Sequence, residues 1–230
     1  MPISGIDLSS VQGALGPTQW RAIAQRGTRF AVAKCATGND GKDPSFDPNI
    51  ANARGAGLTV GAYFFAYPLP TDASHPGRDP EDQAQLHFEA ADGIGTRAGD
   101  LPPCVDLEWP APQDWSRWGV TAASIRAWVA TYLAKVAALW GRTPIVYSYP
   151  DFARAVSFGP ELARCPLWAA EYDALQPMAP WAGYSLLQTA GGSSTAISRR
   201  FQQCDTLPDG VPVDTDIIAD ESTLAILLGN

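Results

Sequence analysis

Short apolar runs rich in Val, Ile, Tyr and Phe recur along the chain. They lie at Ile3–Ser9, Arg29–Ala36, Thr59–Ala66, Pro103–Trp109, Pro144–Tyr149, Leu167–Tyr172, Tyr184–Thr189 and Pro212–Ile218. Their length and β-branched content predict strands. Several, such as Phe30-Ala31-Val32-Ala33 and Ile145-Val146-Tyr147, are almost continuously apolar. That is how a parallel strand covered on both faces reads.

Segments with helical periodicity separate the first five runs. Pro17–Arg26 places Pro at its first turn and ends at Gly27. Asp47–Ala56 is followed by Gly57. Asp79–Ala91 opens on Pro80-Glu81-Asp82, acidic side chains that suit the positive end of a helix dipole. Thr121–Trp140 repeats apolar residues at Ile125, Trp128, Val129, Tyr132, Leu133, Val136 and Leu139, and Gly141 stops it. After about residue 165 the strand candidates crowd together, with turns such as Ala190-Gly191-Gly192-Ser193-Ser194 and no clear helix between them.

Alternating strand and helix over the first two-thirds predicts an α/β fold with a parallel sheet there. Eight strand candidates predict closure into a single TIM-like barrel, irregular in its helix-poor last third. No linker and no internal repeat divides residues 1–230, so one domain is expected. A doubly wound open sheet is the alternative, but it lacks a GxGxxG or P-loop signature.

Composition narrows the function. The 230 residues are 46% hydrophobic and 17% charged, a globular balance. The net charge of −8, with only 16 Lys and Arg, gives no basic face for nucleic acid. No apolar run approaches the roughly 20 residues of a membrane span. The start, Met1-Pro2-Ile3-Ser4-Gly5, carries no secretory signal pattern, so the expected export route is not a leader within these residues. Cys35, Cys104, Cys165 and Cys204 form no CxxC pair, and only His75 and His87 could serve a metal site or a triad. No metal and no cofactor are expected.

The sharpest chemical signal is Cys104-Val105-Asp106-Leu107-Glu108-Trp109-Pro110. Asp106 and Glu108 stand two apart on a predicted strand and so face the same way, about 6.6 Å apart along the backbone. Pro110 ends the strand, which puts the pair at the C-terminal mouth where parallel barrels hold their active sites. Two carboxylates in one mouth do not both ionise freely, and an acid that keeps its proton beside an ionised partner is the apparatus of glycosidic cleavage. A solvated polar strand end fits the same pattern. Asp7 on the first strand and Asp214 on the last add two more carboxylates, because closure makes those strands neighbours. Tyr63, Tyr147, Trp168, Tyr172 and Gln188 lie on other strands or their ends, where aromatic faces and an amide would suit sugar rings. Core packing is the plain alternative for each aromatic taken singly.

These stretches, in order, resemble glycoside hydrolase family 25, the Chalaropsis-type lysozymes. The matching segments are Gly5–Gly13 with Trp20, Phe30–Gly38, Asp47-Pro48-Asn49 with Ala56-Gly57-Leu58, and Val60–Phe65. Val105–Glu108, Pro144–Ser148, Leu167–Tyr172, Leu187-Gln188-Thr189 and Val213-Asp214 follow. The resemblance covers essentially the whole chain. It implies five β/α units followed by a β-rich closing part, and a lysozyme that cleaves the β-1,4 bond between N-acetylmuramic acid and N-acetylglucosamine in bacterial peptidoglycan. It implies Glu108 as general acid and then base. Asp106 would orient the substrate N-acetyl group whose oxygen attacks the anomeric carbon, a substrate-assisted route for which carboxylate spacing alone does not fix the stereochemistry. Asp7 and Asp214 would shape the catalytic subsite. The enzyme is expected to act as a monomer, outside the cytoplasm, on the cell wall.

Three positions depart from the family pattern. Thr37 stands where Glu is usual, Phe64 where His is frequent, and Asp214-Thr215-Asp216 where Asp-Leu-Asn is frequent. The first two are expected to bear on subsite details. Two other classes compete: a non-catalytic carbohydrate-binding barrel, against which the presence of Glu108 speaks, and a chitinase-like glycosidase, which would want an acid where Cys104 stands.

Overall fold

Period-two alternation along the strands builds two separate apolar layers, one inside a closed barrel and one between the barrel and its helices. The computed structural model describes residues 1–38, 40–71, 79–171, 175–191 and 213–229. The strands are β1 (Ile3–Leu8), β2 (Phe30–Thr37), β3 (Gly41–Lys42), β4 (Thr59–Phe65), β5 (Cys104–Asp106), β6 (Ile145–Ser148), β7 (Leu167–Ala170), β8 (Leu186–Ala190) and β9 (Asp214–Ile218). The helices are α1 (Pro17–Gln25), α2 (Phe46–Gly55), α3 (Pro80–Ala91), α4 (Trp115–Trp118), α5 (Ala122–Trp140), α6 (Pro150–Val156) and α7 (Glu221–Leu228).

Hydrogen-bonded neighbours run β1-β9-β8-β7-β6-β5-β4-β2, and β1 pairs with β2 to close the ring. The expected irregular barrel is therefore present, with β3 as an added strand on β2. The strands from β1 to β8 run parallel to their sequence neighbours in the ring, but β9 runs antiparallel to both β8 and β1. The irregularity expected in the last third is the reversed direction of this strand. An antiparallel neighbour needs no crossover helix, which is why the helix-poor last third still completes the ring.

Alternation assigns the faces. Ile3, Phe30, Val32, Cys104, Ile145, Trp168, Leu186 and Ile218 point inward, and Leu224 and Leu227 of α7 close the lower end. Gly5 is required here: a Cβ at this position would lie 2.2 Å from the Phe30 ring. Ile6, Leu8, Ala31, Val60, Ala62, Val105, Val146 and Leu187 point outward and pack under the helices.

The helices start and stop where the sequence signals them. Asp79 caps α3 by accepting from the backbone N–H of Glu81 and Asp82. Thr121 and Ser124 form a capping box on α5, and Gly141 ends it in the left-handed conformation at φ 66°. On α5 the expected apolar stripe is buried except Leu139, which is only partly covered. Trp140 takes its place and donates from Nε1 to the Ile94 carbonyl at 2.9 Å.

Other corrections concern small elements. The strand expected over Pro103–Trp109 stops at Asp106, although Leu107 still donates to the Tyr147 carbonyl at 2.9 Å and Ser148 Oγ to the Leu107 carbonyl at 2.7 Å. β3, α4, α6 and α7 were not expected; apart from α7 they are seven residues or fewer, too short for periodicity to reveal. Phe64, expected near the subsites, faces outward by strand alternation and is fully buried against His87, ring centroids 5.1 Å apart. Among the described residues no helix is long and apolar enough to cross a membrane.

Candidate active site

The upper ends of the parallel strands, and the adjoining end of β9, converge on a cleft of about 170 Å³. Asp7 of β1, Tyr63 of β4, Asp106 of β5, Tyr147 of β6, Trp168 of β7, Gln188 of β8 and Asp214 of β9 line it, with Glu108 just past β5. Eight of the nine expected site residues thus share one cavity; Tyr172 lies outside the described residues. Closure does what the sequence implied for the terminal strands, since Asp7 and Asp214 are register partners. The cleft also takes Lys34 and Phe65, which were not singled out. The signal for both was available: Lys34 continues the inward series Phe30, Val32, Lys34, and Phe65 continues Tyr63.

A relay of hydrogen bonds fixes one wall. Tyr147 donates from its hydroxyl to Gln188 Oε1 at 2.9 Å, and Gln188 Nε2 donates to Asp7 Oδ2 at 2.7 Å. The same Nε2 lies 3.4 Å from Asp214 Oδ2. Trp168 stacks edge-on to Tyr147, with centroids 4.9 Å apart, and its Nε1 donates to Asp216 Oδ1 at 2.9 Å. Trp168 is only 1% exposed, so it floors the cleft rather than offering a free face to a sugar ring. Opposite, Lys34 Nζ stands 4.0 Å from Asp43 Oδ2. Asp43 is itself held by Ser10 N, Ser45 N and Ser45 Oγ at 2.9, 2.9 and 2.6 Å. Burial alone would raise its pKa; these donors outweigh it and keep the carboxyl below the usual range.

The acids perturb one another. Asp106 is buried, its Oδ1 has no hydrogen-bond donor among the described residues, and its carboxyl is pushed well up by burial and then by the charge of Glu108. Glu108 is partly exposed; burial and then the charge of Asp214 raise it, while Lys34 pulls the other way. Tyr63 is pushed up by burial and by Asp7, Asp106, Asp214 and Glu108 together, which sets its phenol among all four acids. Both carboxyls of the pair are thus disfavoured as anions, and Asp106 is the more deeply buried of the two.

The remaining candidates lie elsewhere. His87 is fully buried between α3 and α5, with Nδ1 2.8 Å from the Tyr132 hydroxyl, and has no place in the cleft. His75 and Cys204 fall outside the described residues. Cys104 faces the barrel interior as expected, one layer below Asp106. Among the described residues no group of three or more His, Cys, Asp and Glu is arranged to hold a metal ion. A larger hollow of about 300 Å³, walled by Leu175, Met178 and Trp181, lies on the outer face of β7; its lining is mostly apolar and it lacks the paired acids of the mouth.

The model of "Glycosyl hydrolases family 25" matches residues 6–193. Lysozyme M1 of Streptomyces globisporus is 27% identical over 208 residues, which cover 86% of this chain and 66% of that protein. The N,O-diacetylmuramidase of a Chalaropsis species is 30% identical over 156 residues, 65% of this chain and 67% of its own length. The chain therefore spans about two thirds of these relatives. The structure of a muramidase from Trichobolus zukalii superposes with a TM-score of 0.79 at 21% identity, covering 99% of this chain and 100% of the other, which establishes a shared fold. With a family model matching most of its length, the chain belongs to glycosyl hydrolase family 25.

Proposed function

We propose that the protein is a muramidase acting on bacterial peptidoglycan, cleaving the β-1,4 bond from N-acetylmuramic acid to N-acetylglucosamine, with residues 1–230 working as one catalytic domain and as a monomer. Family membership and the named relatives support the substrate class. The observation that carries the mechanism is the asymmetry of the acid pair: Asp106 is buried with an oxygen lacking a donor among the described residues, while Glu108 reaches solvent.

That asymmetry gives the proton a direction. Before substrate binds, an ionised Asp106 would be costly, since its Oδ1 has no donor among the described residues. An N-acetyl group brings an N–H. Donated to Asp106, it favours the carboxylate there and leaves the proton of the pair to Glu108. Glu108 then gives this proton to the glycosidic oxygen as the bond to C1 breaks. The acetamido oxygen, oriented through its N–H on Asp106, attacks C1 from the other side. Glu108, now ionised, takes a proton from the water that opens the cyclic intermediate and so is ready for the next cycle. Substrate binding thus assembles the acid, and no cofactor is called for. Asp7, Asp214, Gln188 and Tyr147 shape the wall of the subsite, Tyr63 stands between the acids, Trp168 is the floor, and Tyr172 is a further candidate contact. Such an enzyme works outside the cytoplasm, on the wall itself.

Glu108→Gln tests the reading. The amide keeps the shape and has no acidic proton, so turnover of purified sacculi should fall by about 10²–10⁴-fold with the melting temperature unchanged. Activity within threefold or so of the parent removes Glu108 from the role of acid.

A further inference from the structure

Asp216 sits one layer below the cleft, on the inward face of β9. It is 1% exposed and is in register with Gly5 of β1 and Gln188 of β8. Gly5 has no side chain to offer. The Gln188 amide nitrogen is directed at Asp7, and its oxygen accepts from Tyr147. Trp168 Nε1 satisfies Asp216 Oδ1, and Oδ2 is left buried without a donor among the described residues. A carboxylate in that position would be strongly disfavoured.

Its inward-facing neighbour across the β1–β9 pair is Asp7. Asp7 pairs with Asp214, so Asp7 and Asp216 are diagonal neighbours on one face, and their carboxyl groups come within hydrogen-bonding reach. The titratable groups facing Asp216 from the elements packed round it are few. They are Asp7 on β1, Asp214 on its own strand, Cys104 on β5, and the phenols of Tyr63 on β4 and Tyr147 on β6. The cation of the cleft, Lys34 on β2, is turned to Asp43. Below, Arg142 bonds the carbonyls of Gly95 and Asp100. Among the described residues no cation is placed to neutralise the pair, and what the geometry lacks between the two acids is one hydrogen.

We propose that Asp216 is a positioning residue that shares one proton with Asp7, and that this carboxyl–carboxylate hydrogen bond, backed by Trp168, holds Asp7 against the cleft wall. The proposal rests on the muramidase reading for the role of Asp7, but not for the proton. Burial pushes Asp216 up to about 8 and Asp7 well up as well, in keeping with a pair that retains a proton through neutral pH. In this chain the donor is a proton that high pH removes, which couples the shape of the wall to pH.

Two variants test it. Asp216→Asn supplies an N–H in place of the shared proton and should keep kcat on sacculi near the parent value at pH 5. Asp216→Ala removes the bond and should lower kcat by between about 10-fold and 10²-fold, with KM little changed. The reading that mere packing would not move is the melting temperature against pH. The unfolded carboxyl titrates near 3.9, and the folded one near 8. The parent therefore loses stability as pH rises through that window, and Asp216→Asn lacks this group's share of the loss. The excess in melting temperature of Asp216→Asn over the parent should grow from about pH 4 to about pH 8 and then level off. A pH-independent difference overturns the shared proton. Asp216→Asn as impaired as Asp216→Ala, or Asp216→Ala as active as the parent, overturns the positioning role. If Glu108→Gln stays active while the melting-temperature difference grows with pH, the muramidase assignment fails and the acid pair stands.

Discussion

Glu108 stands between two opposed charges, Asp214 and Lys34, and its acidity is set by their balance on top of burial. Removing the negative neighbour with Asp214→Asn makes the Glu108 proton easier to lose, so the alkaline limb of kcat/KM should move to lower pH. Removing the positive one with Lys34→Met makes it harder to lose, so that limb should move to higher pH. Paired pH–rate profiles check this, and shifts of the same sign in both variants would contradict it. At this scale much was legible. Two-residue spacing put Asp106 and Glu108 in one cleft, and closure of the ring put Asp7 beside Asp214. What the spacing did not reveal is depth. Nothing in Asp-Leu-Glu says that Asp106 is covered while Glu108 reaches water, because depth is decided by neighbouring strands. The same holds for Trp168, whose ring reads as a sugar platform in sequence and proves to be a covered floor bonded to Asp216.

Helices α3 and α5 meet over a buried histidine, and this contact sets an acid limit on the fold. His87 lies between Phe64, Tyr132 and Trp140, and burial lowers its basicity to about 3 from a usual value near 6.5. Between those values the unfolded chain binds a proton that the folded chain refuses. Stability therefore falls as pH drops, by up to about 1.4 kcal/mol per pH unit from this group. Replacing the ring with His87→Leu removes the penalty. Its melting temperature relative to the parent should rise steadily as pH is lowered from 6.5 towards 3, whatever constant offset the lost Tyr132 bond introduces. A difference that does not vary with pH would mean His87 is protonated in the fold. Periodicity found α3 and α5 because each is long and one-sided. It missed α4 and β3, which are a single turn and two residues. It also missed the direction of β9, since an apolar strand reads the same both ways and only the pairing partner fixes its sense.

The whole molecule is a closed ring with one apolar filling inside and another outside, and the polar mouth is the place where the inner filling stops. Alternation of strand and helix was enough to expect that ring; its irregular closure followed from the loss of helices after residue 165. Among the described residues this double layer holds without cross-links. Cys35, Cys104 and Cys165 are free and buried, and burial pushes the Cys35 and Cys104 thiols up, so all three should be slow to react in the native protein. Reducing agent should leave the melting temperature unchanged, and a fall of many degrees would reveal a disulfide that matters. The central claim is the bond that is cut. It is tested most directly by mass spectrometry of the muropeptides released from purified sacculi, with Glu108→Gln as the control. The account expects fragments ending in reducing N-acetylmuramic acid from the parent and none above background from the variant; fragments ending in reducing N-acetylglucosamine, or equal release by both proteins, would contradict it.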